Sequence, residues 1–186
     1  MTGLPGDPKD VHVNVILNSE RPKDFKIEPS PLGSLPTGPN GELIFRNDKH
    51  SGFFIYFDLI DNTGLNYKFV EEDKNHKKVL NEAVWSVLGA NNCPTTGAWE
   101  VFRPRAVLNS GMTLKVRNTN IKDELGQFTY TLRISKDDGA SYHPLDPGGD
   151  NQNGPIGRNW SAALVFVSGA IAGSLATLGG FALLRG

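Results

Sequence analysis

The residues able to ligate a metal or serve as nucleophile and base are few. Cys93 is the single cysteine, and His12, His50, His76 and His143 are the four histidines. A thiolate nucleophile needs a base within hydrogen-bond reach, and a zinc or copper site needs His and Cys at short, repeated spacings. The histidines are scattered without such spacing. Cys93 is followed by Pro94, Thr95, Thr96 and Gly97, a loop-like run with no histidine. Asp58 with Asp61, and Glu71 with Glu72 and Asp73, are paired carboxylates of the kind that general acid–base chemistry uses, yet their polar surroundings read as charged turns. Asp146, Asp150, Asn151 and Asn153 carry calcium-type oxygens, but no register supplies both an acidic first position and a glutamate twelve residues in. There is no Gly-x-Ser-x-Gly, no phosphate-binding loop and no dinucleotide fingerprint. The expectation is a non-enzymatic chain with no catalytic residue, no bound metal and no cofactor.

Composition narrows the partners. Nineteen basic residues against twenty acidic ones leave a net charge of -1, and no basic stripe stands out, so nucleic-acid binding is not expected. A lone thiol fits a reducing compartment better than an oxidising one. The start, Met1 to Pro8, lacks the basic and apolar blocks of a signal peptide.

The elements that would position these side chains are short strands. Val11, Val13 and Val15 alternate with polar residues, and Phe25 and Ile27 mark a second strand. Glu28 to Gly41 is rich in proline and glycine and reads as a long loop. Leu43 to Phe45 and Phe53 to Ile60 read as two strands joined by a hairpin turn, the second apolar enough on both faces to sit centrally in a sheet. Leu65, Tyr67 and Phe69 alternate. Val79 to Leu88 fits a helix or a strand. Trp99 to Phe102, Met112 to Arg117 and Phe128 to Ile134 complete the strands. The pattern predicts a mainly β domain over residues 1–145, an antiparallel Greek-key sandwich of the immunoglobulin or cupredoxin kind.

The segment Phe102-Arg103-Pro104-Arg105-Ala106-Val107-Leu108-Asn109-Ser110-Gly111-Met112-Thr113-Leu114-Lys115-Val116-Arg117-Asn118 resembles the strand–turn–strand pattern of cupredoxin-like sandwiches, with its F-x-P, valine-containing stretch, glycine and alternating strand ending in Asn. The resemblance implies a fold type. The copper ligands of that family, a Cys followed at short spacing by His and then Met, are not present after Cys93.

A linker, 146–159, leads to an uncharged stretch from Trp160 to Leu184. As a helix rising about 1.5 Å per residue it spans roughly 37 Å, enough for a hydrocarbon core of about 30 Å. Arg158, Trp160 and Arg185 suit the two membrane interfaces. Gly169, Gly173, Ala176 and Gly180 recur every three or four residues on one face, a groove that lets another helix approach closely. A hydrophobic span with two residues after it reads as a single-pass tail anchor with the N-terminal domain cytoplasmic. The expected partners are membrane lipid and the transmembrane helices of other subunits, with a homodimer through the small-residue face as the other arrangement. The functional expectation is an accessory or structural subunit of a larger membrane complex. The rival is a membrane-tethered module that binds a small ligand or peptide at the sandwich loops, in a pocket lined by Trp85, Trp99 or Tyr142.

Overall fold

The computed structural model describes residues 7–20, 25–33, 35, 37, 38, 42–46, 52–89, 94, 97, 98, 100–119, 126–146 and 148–152. The chain divides into two units at Gly154/Pro155, and all the described residues belong to the first.

The fold is mainly β. Its strands are β1 (Lys9–Leu17), β2 (Phe25–Pro29), β3 (Leu43–Arg46), β4 (Phe53–Asp61), β5 (Val84–Leu88), β6 (Phe102–Leu108), β7 (Thr113–Asn118), β8 (Gly126–Ile134), β9 (His143–Leu145) and β10 (Gly148–Gln152). One sheet has the order β2-β1-β4-β7-β6. The other runs β3-β10-β8-β5, with β9 paired to the far end of β8.

The pairing is not purely antiparallel. β1 lies parallel to β4 along its whole length, and β3 lies parallel to β10. The cause is connectivity. After β2 the chain leaves the first sheet, forms β3 in the second, and re-enters the first on the other side of β1. A parallel pair needs a crossover of about a dozen residues or more, and the proline-rich stretch after β2 supplies it. For the same reason the hairpin expected between Leu43–Phe45 and Phe53–Ile60 does not form. The two strands belong to different sheets, and Phe45 and Phe53 meet across the interior, ring centroids 5.1 Å apart.

Period-two burial builds the core. Val11, Val13, Val15 and Leu17 of β1 and Phe53, Ile55, Phe57 and Leu59 of β4 point inward. They meet Phe128, Tyr130, Leu132 and Ile134 of β8. At the centre Phe102 lies 5.0 Å from Phe128 and 5.2 Å from Tyr130, and Phe57 lies 5.8 Å from Tyr130. These rings belong to strands of both sheets, so the sheets pack face to face. Ser86 of β5 donates its hydroxyl to the Phe102 carbonyl at 2.9 Å, tying the two sheets at one edge.

Three local expectations change. Val79–Leu88 is both things in turn, a single 3-10 turn at Leu80–Glu82 and then β5. Tyr67 and Phe69 are buried in alternation, but their segment makes only one bridge, Lys68 to Ser135, because Asn66 adopts a left-handed φ of 60°. Residues Gly148–Gln152, read from sequence as linker, pair with β8 and β3 as β10. Glycine and asparagine hide this strand from propensity, and its neighbours decide it.

Candidate functional site

The outward face of the first sheet brings His12 and Asp58 together with a set of aromatic and basic side chains. Alternation on β4 that sends Ile55 and Phe57 inward sends Phe54, Tyr56 and Asp58 outward. Parallel register sets His12 beside Tyr56 and Asn14 beside Asp58. Antiparallel register on the other side sets Arg117 beside Phe54, Lys115 beside Tyr56 and Thr113 beside Asp58. One strand further, Arg103 lies opposite Arg117. Pairing shifts between Pro104 and Ala106, a bulge that leaves the exposed Arg105 as the extra residue on this edge strand.

Asp58 anchors a hydrogen-bonded row. His12 Nδ1 donates to Asp58 Oδ2 at 2.8 Å, and the Thr113 hydroxyl donates to Asp58 Oδ1 at 2.8 Å. Asn109 in turn donates its amide to the Thr113 oxygen at 3.0 Å. The row fixes the ring of His12, which stacks on Tyr56 with centroids 4.6 Å apart and planes 10° from parallel. Tyr56 donates its hydroxyl to Asp10 at 3.4 Å.

Beside this row the face is cationic. Lys115 Nζ sits 4.1 Å from the Phe54 ring centroid and 5.1 Å from that of Tyr56, and the Arg117 guanidinium sits 5.0 Å from Phe54. A cation over an aromatic face is worth about 0.5–1 kcal/mol at an exposed site. These long side chains cover the outward rings of β4, which explains how a strand apolar on both faces can border solvent. Arg103 pairs with Glu100 at 2.9 Å. Burial, and then the neighbouring charge of Arg105, pull the Arg117 guanidinium below its ordinary value. The face is therefore polarised: Arg103, Arg105, Lys115 and Arg117 on β6 and β7, and Asp10, Glu28 and Asp58, with Lys26 among them, on the strands at the other side.

The aromatic pocket expected of Trp85 and Tyr142 is filled from within. Both rings reach the same place, on the outward face of the second sheet, but the Arg133 guanidinium lies between them, 3.6 Å from Trp85 and 4.3 Å from Tyr142. Arg133 also pairs with the Glu82 carboxylate and donates to the Glu82 carbonyl at 3.3 Å. This is a packed ladder joining the 3-10 turn, β5 and β8.

Asp61, Asp137 and Asp73 serve turns, whereas Asp146 accepts from the Thr131 hydroxyl and Glu71 from the Val107 N–H. Burial would raise the Asp61 carboxyl, but hydrogen bonds from the Thr63 hydroxyl and the backbone N–H groups of Thr63, Tyr67 and Asn66 outweigh it and hold it below its ordinary value. Asp137 takes hydrogen bonds from the Ser141 and Ser135 hydroxyls and the Ser141 N–H, and is pulled down to about 2. Asp73 accepts from the N–H groups of Asn75 and Lys77. Among the histidines, His76 is exposed, 4.0 Å from Glu72. His143 packs against Tyr67 with centroids 5.4 Å apart, and its burial lowers its affinity for a proton. Among the described residues no group of three His, Cys, Asp or Glu could hold a metal ion.

No family model and no curated protein sequence matches the chain. Among the described residues no helix is long and apolar enough to cross a membrane. The expected span from Trp160 to Leu184, its packing face Gly169, Gly173, Ala176 and Gly180, and its flanks Arg158, Trp160 and Arg185 lie outside the described residues, as do Cys93, His50 and Trp99.

The basic corner was the feature missed by reading the sequence linearly. Its signal is present: R-x-R at 103–105 and K-x-R at 115–117, an alternating pair on each arm of one strand–turn–strand segment. Period two sets Lys115 and Arg117 on one face, the hairpin register lays Arg103 opposite Arg117, and the bulge adds Arg105 beside them.

Proposed function

We propose that the chain is a non-catalytic, membrane-anchored accessory subunit whose β domain docks a partner through the outward face of the sheet β2-β1-β4-β7-β6. The anchor is the uncharged segment Trp160 to Leu184. The small-residue face at Gly169, Gly173, Ala176 and Gly180 would pack against helices of other subunits. The observation that carries the docking role is the polarised face itself. Four cations gather on two adjacent strands, two of them, Lys115 and Arg117, over half-buried aromatic rings, and Arg103 and Arg117 stand directly opposite each other. Like charges so placed destabilise a sheet, so the arrangement weakens the free domain and becomes favourable against a complementary surface. The test is alkaline carbonate extraction of the full chain, followed by co-purification in mild detergent. The chain should stay in the membrane pellet, and Gly173→Leu should stay there too while losing its partner. Release of the wild-type chain into the supernatant overturns the proposal.

The fold proposed is a cupredoxin-like Greek key. The segment that resembles that family, Phe102–Asn118, forms the β6–β7 strand–turn–strand, which supports the reading. Blue copper is no part of the proposal, since the family's ligand run does not follow Cys93.

One observation favours the second reading, a tethered module for a small ligand. A cleft of about 400 Å³ opens among Lys68, Glu71, Glu72, Ser110, Gly111 and Asp138, at the loops bordering one end of the domain. Lys68 pairs with Asp138 at its rim, 2.5 Å apart. Its mixed charge suits a small zwitterion, and a thermal-shift screen of such compounds, with Lys68→Ala as the variant that removes the cleft's cation, distinguishes this reading from docking.

A further inference from the structure

The docking face has a direction, and the direction selects a partner. On β6 and β7 the cations Arg103, Arg105, Lys115 and Arg117 lie within two strands, with Glu100 as the acid paired among them. The bulge at Arg105 turns an additional guanidinium to the edge of the sheet. From β4 to β2 the same face carries Asp58, Asp10 and Glu28, three acids against one exposed lysine, Lys26, among the described residues.

Three anionic partners would be drawn to such a corner, and the geometry separates them. A bilayer rich in acidic lipid is broad and flat. Laid on this face, it would press against Asp10, Glu28 and Asp58 as well as the cations, and repulsion would oppose the attraction. Single-stranded nucleic acid takes affinity from bare aromatic rings on which bases stack. Here Phe54 is covered by Lys115 and Arg117, and Tyr56 by His12 and Lys115. A narrow, extended polypeptide rich in carboxylates lies along β6 and β7 without reaching the acidic half. Its side chains meet guanidinium forks, which bind carboxylates in bidentate fashion.

We infer that the β6–β7 half of the face binds an extended acidic segment of a partner protein, with Arg103, Arg105, Lys115 and Arg117 as the groups that recognise it. This deepens the docking role and rests on it. Arg105 is the specificity element, because the bulge alone brings it to the edge. Lys115 and Arg117 hold their charges beside the β6 cations, over Phe54, where Arg117 also donates to the Phe53 carbonyl at 3.3 Å.

The test uses the full chain in nanodiscs of phosphatidylcholine, with fluorescein-labelled oligoglutamate as the probe, read by fluorescence anisotropy. Saturable binding that weakens as salt rises is expected. Arg103→Glu combined with Arg105→Glu should weaken it about tenfold or more. Lys74→Glu combined with Lys77→Glu reverses the same amount of charge at exposed lysines outside the sheet and should leave it unchanged. Near-ultraviolet circular dichroism confirms that both variants keep the wild-type fold. No binding, or equal weakening by the two double variants, overturns the inference. So does tighter binding to oligothymidine, which assigns the face to nucleic acid, or a gain in membrane binding when phosphatidylserine vesicles replace the probe, which assigns it to lipid. A dimer in detergent that Arg103→Glu with Arg105→Glu dissociates assigns it to a second copy and overturns it too. The docking role is judged apart from this, by co-purification of a partner with the full chain in mild detergent, whatever that partner's charge.

Discussion

Replacing Phe102 by alanine should remove the joint between the two sheets. Phe102 is on β6 of the first sheet and fully buried, and its ring meets Phe128 and Tyr130 of the second sheet at 5.0 and 5.2 Å, with Phe57 at 6.4 Å. Withdrawing a buried phenylalanine from apolar surroundings loses about 1.5–3 kcal/mol of transfer free energy. Each favourable ring pair adds about 0.5–1.5 kcal/mol. The neighbours are themselves large rings held on strands, so the site collapses little and the cavity term remains. The sum agrees with the usual Phe→Ala range of about 3–5 kcal/mol. Against a total stability of about 5–15 kcal/mol for a domain, that is a large fraction. Phe102→Leu keeps most of the volume and should lose about 1.5 kcal/mol or less. Urea unfolding followed by near-ultraviolet circular dichroism measures both. A Phe102→Ala loss below about 1.5 kcal/mol, or one equal to that of Phe102→Leu, would mean that the sheets do not meet at this ring.

Gly111 has a φ of +97°, and a methyl there would stand 2.7 Å from the Lys68 β-carbon, so Gly111→Ala should destabilise the domain by about 1–3 kcal/mol, visible as a lower urea midpoint. The Tyr130 hydroxyl is fully buried, takes no hydrogen bond among the described residues, and burial pushes its ionisation well above the ordinary range; Tyr130→Phe should therefore raise stability by about 1 kcal/mol, and a loss of that size would reveal a partner. Asp137 is held at about 2, below the ordinary 3.8, so its contribution is complete above about pH 4 and disappears as pH falls through about 2. His143 is likewise lowered from 6.5, so stability should begin to fall as pH drops below about 6.5, and His143→Phe should flatten that first decline while Asp137→Asn flattens the second.

What the sequence showed and what it hid divide along physical lines. Strands with one apolar face, such as Val11–Val15 and Phe128–Ile134, announce themselves because period two is local. The partner of a strand is not local. The strand pattern predicts an antiparallel sandwich, and only the crossover through β3 makes β1 and β4 parallel. β10 is composed of Gly148, Gly149, Asp150, Asn151 and Gln152, residues with no strand preference, and takes its form from β8 and β3. Asp58 was visible as a carboxylate, but its union with His12 and Thr113 spans register across three strands. A pocket lined by Trp85, Trp99 or Tyr142 is the expected mark of the ligand-binding reading, and Trp85 and Tyr142 do come together. The residue that fills it, Arg133, is drawn there by the same rings that would have welcomed a ligand. The basic corner shows the general difficulty: balanced overall charge conceals a local excess that only folding assembles.

Photocrosslinking from the centre of the basic half tests the account most directly. A benzoylphenylalanine placed at Ala106, opposite Lys115 and beside Arg105, should, on illumination of native membranes holding the full chain, attach to a different polypeptide, and the adduct should vanish when Arg103→Glu and Arg105→Glu are added. The same probe at Asn14, beyond β4 on the other half of the face, should give far less of it. Adducts only with a second copy of the chain, or none from a membrane-retained protein, would contradict the account.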